Sequence, residues 1–236
     1  MATDDPARDA RADYTALLSL AAHELRTPAS VLAGYLRMLR DGDPPPTPRQ
    51  RRMIDEAERS CARVTELAAQ LSDLSKIDTG IAPFATDPFD LFTAAGAATG
   101  NTDEGRDAGV SIEARGAASG APLVGDAASM RTALTELVRA VLREQVVAGT
   151  LAIDRRLIPT GHGSEATIVI ARSEEVEDAL RAPAGPFDDR RGGLGMALPL
   201  ARRVIARHGG RVWSPAGRSA QQPGCGPIIV AIPINP

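Results

Sequence analysis

Four leucines at seven-residue spacing, Leu18, Leu25, Leu32 and Leu39, set the first pattern in the chain. Ala21, Ala22, Pro28, Ala29, Tyr35 and Leu36 fill the positions three and four after them. A stripe of this period predicts an amphipathic helix with a coiled-coil-like seam over about residues 10–40. The stretch DGDPPPTP, residues 41–48, cannot continue it. Thr47 and Pro48 then supply a hydroxyl cap and a proline suited to the first position of a second helix. Its apolar line is Ile54, Ala57, Cys61, Val64, Ala68 and Leu71, with Leu67 and Leu74 beside it, and Gly80 is its expected stop after Asp78. Two such helices joined by a short turn form an antiparallel hairpin. One hairpin cannot bury both seams, so the pattern predicts a homodimer through a four-helix bundle.

The period changes after IAPFATDP, residues 81–88, which is the expected linker. Short strand-like runs follow: VSIEA (110–114), LAIDRRLI (151–158), ATIVIA (166–171), RVWS (211–214) and PIIVAIPI (227–234). Helical segments at about 127–145 and 194–208 lie between them, which predicts an α/β unit over 89–236 with its own core. Residues 1–9 are expected to be disordered, and the hairpin to occupy 10–80.

Composition narrows the classes. The 236 residues carry 27 basic and 30 acidic side chains, a net charge of −3. That excludes a nucleic-acid binder steered by global charge and a polybasic membrane-surface protein. All the basic residues but Lys76 are Arg, which reads as a coding bias. No apolar run approaches the length of a membrane span, so no membrane insertion is expected. The polar, acidic start MATDDPARDARAD is unlike a signal peptide. Cys61 and Cys225 fit no metal or disulfide framework and are expected as free thiols in a reducing, cytoplasmic setting.

His23 is the first chemically distinctive residue. On the heptad grid it falls away from the seam, so it faces solvent midway along a long helix. Pro28 follows within the same helix, where an interior proline costs about 3 kcal/mol or a kink. A local rule broken beside an exposed nucleophile marks a candidate site.

AAHELRTPASVLAGYLRML, residues 21–39, resembles the phosphoacceptor box of bacterial two-component sensor histidine kinases. LSDLSKIDTG, residues 71–80, is similar to the end of that family's dimerisation domain. The resemblance implies an α plus α/β fold: a dimerising helical hairpin, then a sheet-and-helix sandwich of the type shared with gyrase and Hsp90 chaperones. It implies that His23 is phosphorylated on its imidazole, that Glu24 orients and activates the ring, and that Thr27 can orient water for dephosphorylation. A neutral imidazole is a competent nucleophile near neutral pH.

The resemblance is weaker in the second half. The family carries two asparagines and a lysine on a helix, the second asparagine binding Mg²⁺. Those positions align here with Glu136, Ala140 and Arg143, and alanine offers no oxygen to a metal. The family's base-reading aspartate aligns with Arg172, which donates and cannot accept the adenine amino protons. GGLGMAL, residues 192–198, resembles the family's phosphate-holding glycine segment and nominates Gly193 and Gly195. APAGPFDDRRG, residues 182–192, is short for a nucleotide lid. His208, at a helix end where a partly positive ring is favoured, and His162 read as structural.

The expected function is therefore two-component signalling by phosphate carried on His23 and exchanged with response-regulator receiver domains, with an impaired ATP site. No cofactor is expected on this reading. ATP and Mg²⁺ enter only for the alternative, an autophosphorylating kinase with an atypical site, and a third reading is a non-catalytic docking adaptor. Arg26, Ser30, Ala33, Gly34 and Arg37, on the helix after His23, are the expected receiver-docking residues.

Overall fold

A computed structural model describes residues 6–81, 83–100, 109–161, 163–216 and 226–234, with side chains from residue 14 onward. His162, Cys225 and residues 1–5 of the expected disordered terminus lie outside the described residues. The chain divides into two compact units, Met1–Pro83 and Phe84–Pro236.

The first unit is a hairpin of α1 (Pro6–Arg40) and α2 (Pro48–Thr79). Helix α1 begins earlier than the sequence pattern suggested, so residues 6–9 are helical. A proline suits a first helical turn because its missing N–H has no partner to lose there. Thr47 caps α2 in a reciprocal box: its hydroxyl accepts from the Gln50 amide at 3.3 Å, and the Gln50 side chain accepts from the Thr47 amide at 2.9 Å. Gly80 ends α2 in the left-handed region (φ 74°), where a side chain would be strained.

The seam inside the hairpin differs from the leucine stripe. Thr15, Ala22 and Ala29 of α1 are buried, as are Ile54, Cys61, Ala68, Leu74 and Ser75 of α2. The helices meet through small residues, closely enough for side chains to bond the opposite backbone. Cys61 Sγ donates to the Ala29 carbonyl at 3.0 Å, and Ser75 Oγ donates to the Thr15 carbonyl at 2.8 Å. Leu25, Leu32 and Leu39 stay 46%, 57% and 61% exposed within one chain. Val64, expected in the α2 line, is exposed too. On α1 the seam is made by the small residues Thr15, Ala22 and Ala29, which let Cys61 and Ser75 reach the α1 backbone, while Ile54 and Leu74 of α2 are also buried.

The first strand of the second unit is β1 (Asp87–Asp90), whose first two residues fall in the expected linker; it pairs antiparallel with β3 (Pro122–Gly125). Helix α3 (Leu91–Ala97) follows, capped by Asp90. The main sheet contains β2 (Val110–Gly116), β4 (Gly149–Thr160), β5 (Gly163–Arg172), β6 (Ala184–Gly185), β7 (Arg211–Pro215) and β8 (Ile228–Ile234), in the order β2-β4-β5-β8-β7-β6. Only β2 and β4 run parallel, joined by a crossover through α4 (Ala127–Arg143). Helices α5 (Val176–Arg181) and α6 (Ala197–Arg207) complete the unit.

Strand alternation decides which side chains reach the site. Leu151, Ile153, Ile168, Ile170, Ile228, Val230 and Ile232 join the core with Phe92, Met130, Leu134, Leu137, Val141, Leu198 and Ile205 of α3, α4 and α6. Arg172 shares this helix-covered face through its two-residue spacing from Ile170. Ala152, Val169, Ala171 and Ile229 on the opposite face pack on Val176 and Ala179 of α5.

Candidate functional site: an exposed histidine and a glycine segment

His23 is exposed on α1, as the heptad reading expected. Its carbonyl accepts the Thr27 hydroxyl at 3.5 Å, and Ser30 Oγ donates to the Arg26 carbonyl at 2.9 Å. Helix α1 runs unbroken through Pro28. Because proline has no N–H, the Glu24 carbonyl one turn back lacks its helical donor. Among the described residues, the His23 ring has no hydrogen-bond partner, so both ring nitrogens are open to solvent. Glu24 and Thr27 are also exposed. Neighbouring helical positions diverge by about 100°, so Glu24 does not lie over the ring as Thr27, one turn on, can.

The expected docking residues divide. Arg26, Ser30, Gly34 and Arg37 are exposed and follow His23 at steps of three, four, seven, eleven and fourteen together with Thr27, which is one helical stripe. Ala33 is half-buried, about 80° from that stripe, because it turns toward the hairpin seam four residues after Ala29. It is not an open docking position. An added Cβ at Gly34 would meet no atom within 4 Å.

The residues nominated for nucleotide are brought together around the C-terminal half of α4, but they engage one another. Glu136 is held by Arg139 Nη1 at 2.8 and 3.0 Å. Ala140 is fully buried. The glycine segment sits directly on it: a Cβ at Gly192 would lie 3.0 Å from Ala140 Cα and 3.2 Å from its carbonyl oxygen. Gly192 also has φ 65°, so both backbone conformation and contact require glycine. Arg143 Nη1 donates to the Gly192 carbonyl at 3.2 Å. Gly193 and Gly195 take positive φ (62° and 64°). The Gly193 amide turns back to the Arg190 carbonyl at 3.4 Å, and the Ala197 amide at the start of α6 to that of Leu194 at 3.3 Å.

Two arginines near these residues are engaged in bonds of their own. Arg172, at the end of β5, donates to Glu174 (2.7 Å), Gln145 (3.1 Å) and the carbonyls of Val147 (3.3 Å) and Ala148 (3.2 Å). Its guanidinium stands where a Cβ of Gly149 would approach to 2.4 Å. The bond to Arg172 holds the Glu174 carboxyl below its ordinary pKa, against a small opposing effect of desolvation. Arg191 was not singled out by the sequence. Its side chain is fully buried and grips Glu144, at the end of α4, through Nε at 2.9 Å and Nη2 at 2.5 Å. It also donates to Ser214 Oγ at 3.2 Å and the Gly226 carbonyl at 2.5 Å. Glu144 accepts the Gly226 amide at 3.1 Å as well. The sequence signal was present, as an acidic helix end and an Arg beside the glycines, but their pairing is 47 residues apart.

His208 differs from the expected partly positive ring. Burial lowers its pKa, against the Val204 carbonyl and Asp126, which favour the cation, while Arg207 opposes it. Its Nδ1 donates to the Val204 carbonyl at 2.8 Å and its Nε2 accepts the Asp126 amide at 3.1 Å, which fixes one neutral tautomer.

The chain is similar to several known proteins. Residues 14–80 match the His Kinase A (phospho-acceptor) domain. The phosphate regulon sensor protein PhoR of Pseudomonas aeruginosa is 26% identical over 216 residues, covering 86% of this chain and 46% of that protein. Full-length ShkA, solved in complex with AMPPNP, superposes with a TM-score of 0.63 at 17% identity, over 92% of this chain and 45% of that one. The Acinetobacter baumannii histidine kinase AdeS gives a TM-score of 0.54 at 18% identity, over 91% of this chain and 98% of that one. Residues 14–80 thus match a histidine-kinase phosphoacceptor domain, and over most of its length the chain is similar to two-component sensor histidine kinases in sequence and in fold. It spans about half the length of the sensor protein it matches. No helix among the described residues is long and apolar enough to cross a membrane.

Proposed function

We propose that this chain carries phosphate on His23 and exchanges it with response-regulator receiver domains, without loading that phosphate from ATP. The observation that carries the second half is the chemistry at the nucleotide positions: Ala140 is fully buried with Gly192 packed on it, Glu136 is bonded to Arg139, and Arg172 is bonded to Glu174 and Gln145. The residues present do not suit Mg²⁺-ATP. Ala140 has no oxygen for a metal, Glu136 is committed to Arg139, and Arg172 has only donors where an acceptor is needed.

In the proposed transfer, an unprotonated His23 ring nitrogen attacks the phosphorus of a receiver's aspartyl phosphate. The N–P bond forms as the P–O bond to the aspartate breaks, and the carboxylate leaves with that electron pair. The second ring nitrogen keeps its proton. The reverse step gives the phosphoryl group to another receiver. Such transfer depends on positioning and on charge neutralisation, which the receiver's own metal supplies. The exposed stripe Arg26, Thr27, Ser30, Gly34 and Arg37 is the surface that would position the receiver. The exposed Leu25, Leu32 and Leu39 support a homodimer, since a second hairpin would cover them. The setting is cytoplasmic on this reading, with buried Cys61 as a free thiol.

Labelled ATP with Mg²⁺, then a labelled phospho-receiver, tests the proposal. Label should reach His23 only from the receiver, and a His23→Gln variant should stay unlabelled. Calorimetry should find no Mg²⁺-ATP binding tighter than about millimolar. Micromolar binding with label from ATP would establish the autokinase instead, and label from neither donor would leave a docking adaptor.

A further inference from the structure

Phe84 is the first residue of the second unit, four positions beyond the Gly80 stop of α2. Its ring is held on two sides. The His208 ring lies 4.7 Å away, tilted by 56°, and the Arg207 guanidinium stands over it at 4.3 Å. Phe89 of β1 meets the same imidazole edge-on at 5.9 Å. The imidazole is seated tightly, since a Cβ at Gly125 would approach its Nε2 to 2.4 Å. It also ties two helices together, by bonding the Val204 carbonyl in α6 and the Asp126 amide at the cap of α4.

We propose that Phe84 is a releasable anchor of the linker, held while His208 is neutral and let go when His208 is protonated. A proton on Nε2 would point at the Asp126 N–H, replacing an accepted hydrogen bond with two facing donors. The imidazolium would also need water that the Phe84 and Phe89 rings exclude, and it would repel the Arg207 cation on the other side of Phe84. The charged groups facing His208 are few. Asp126 attracts a cation, but its carboxylate is already bonded by the Ser129 amide at 2.9 Å and hydroxyl at 2.8 Å. Arg207, on α6, repels one. On β1, Asp87 shares the strand face of Phe89 and is exposed, while the Asp90 carboxylate is taken by the Thr93, Gly120 and Ala121 amides. Burial places the switch below the ordinary histidine value. With Phe84 anchored, residues 81–83 join α2 to the second unit; released, the join runs over 81–86 to the start of β1. Three more residues extend its reach by about 10 Å. This device operates whether or not nucleotide binds.

Magnetic resonance on the full chain with labelled phenylalanine and histidine tests it. The Overhauser contact between the Phe84 and His208 rings should be strong at pH 8 and fall at least tenfold once His208 is fully protonated. The fall should follow the titration of His208 itself, with a midpoint below about 6.5. In Phe84→Ala the His208 midpoint should rise, because the ring that desolvates it has gone. A contact that persists through the His208 titration overturns the proposal, and so does an unchanged midpoint in Phe84→Ala. His208→Gln should abolish any pH step in the Phe84 ring signals; a step that survives overturns it equally. If His208→Gln does not fold, the Phe84→Ala midpoint alone decides.

Discussion

Replacing Glu144 with Gln removes one charge from the buried Arg191–Glu144 pair while keeping the shape of the side chain. Arg191 then keeps a fully buried guanidinium with only the Ser214 hydroxyl, the Gly226 carbonyl and an amide oxygen around it. Removing one partner of a buried ion pair costs about 3–5 kcal/mol, because the other charge is left uncompensated. Glu144 retains 16% of its side-chain exposure, so the lower end applies, about 3 kcal/mol. For a unit of this size that lowers the melting temperature by roughly 6–12 °C. Trp213, the one tryptophan in the chain, lies beside Ser214 in β7, so its fluorescence reports this unit and not the hairpin. Urea and thermal unfolding followed at Trp213 measure the cost. Arg191→Met should be similarly damaging, and the double variant should cost less than the sum of the two by about 2 kcal/mol. A Glu144→Gln variant within about 0.5 kcal/mol of the parent would refute the reasoning, since it would show that the pair contributes no more than a surface ion pair.

Other outcomes follow from single positions. Ala140→Asn with Arg172→Asp should not restore Mg²⁺-ATP binding in calorimetry, because Gly192 already occupies the space an Asn at 140 needs; overpacking there should cost about 1–3 kcal/mol in unfolding assays. Gly34→Arg points into open space, so it should block transfer from a phospho-receiver while leaving the circular-dichroism melt of the hairpin unchanged. Sedimentation at micromolar concentration should give a homodimer, and Leu32→Glu should shift it toward monomer. Asp90 illustrates the acid limb: burial raises its pKa, but the Thr93, Gly120 and Ala121 amides outweigh that and lower it overall. Its stabilisation is complete above the unfolded value near 3.9 and is lost as pH falls through the lower folded value. Asp90→Asn keeps an oxygen for the Thr93 amide but sets an NH2 group against the Gly120 and Ala121 amides, so it should cost about 1–2 kcal/mol at neutral pH and flatten that limb in a pH series of urea unfolding curves.

What the sequence determined by itself is local. The heptad pattern, the Thr47–Pro48 start and the Gly80 stop are signals written within a few residues, and α1 and α2 follow them. His23 was legible for the same reason, since its exposure and the proline five residues on are properties of one helix. The strands VSIEA, LAIDRRLI, ATIVIA, RVWS and PIIVAIPI were visible as apolar runs. DPFD and PLVG, residues 87–90 and 122–125, were not, because strands this short carry too few apolar positions to show a period and exist by pairing with each other. Tertiary structure decided which apolar stripe of α1 meets α2. The large leucines mark a face that wants burial, but the distance between helices selects the small residues Ala22, Ala29, Cys61 and Ala68 for the intrachain contact and leaves the leucines outward. It also decided the surroundings of α4. Ala140 and Arg172 announced that something was missing, one residue at a time. That Gly192 packs on Ala140, and that Arg191 reaches across 47 positions to Glu144, depends on the packing of α6 and its preceding loop against α4, which no local pattern encodes.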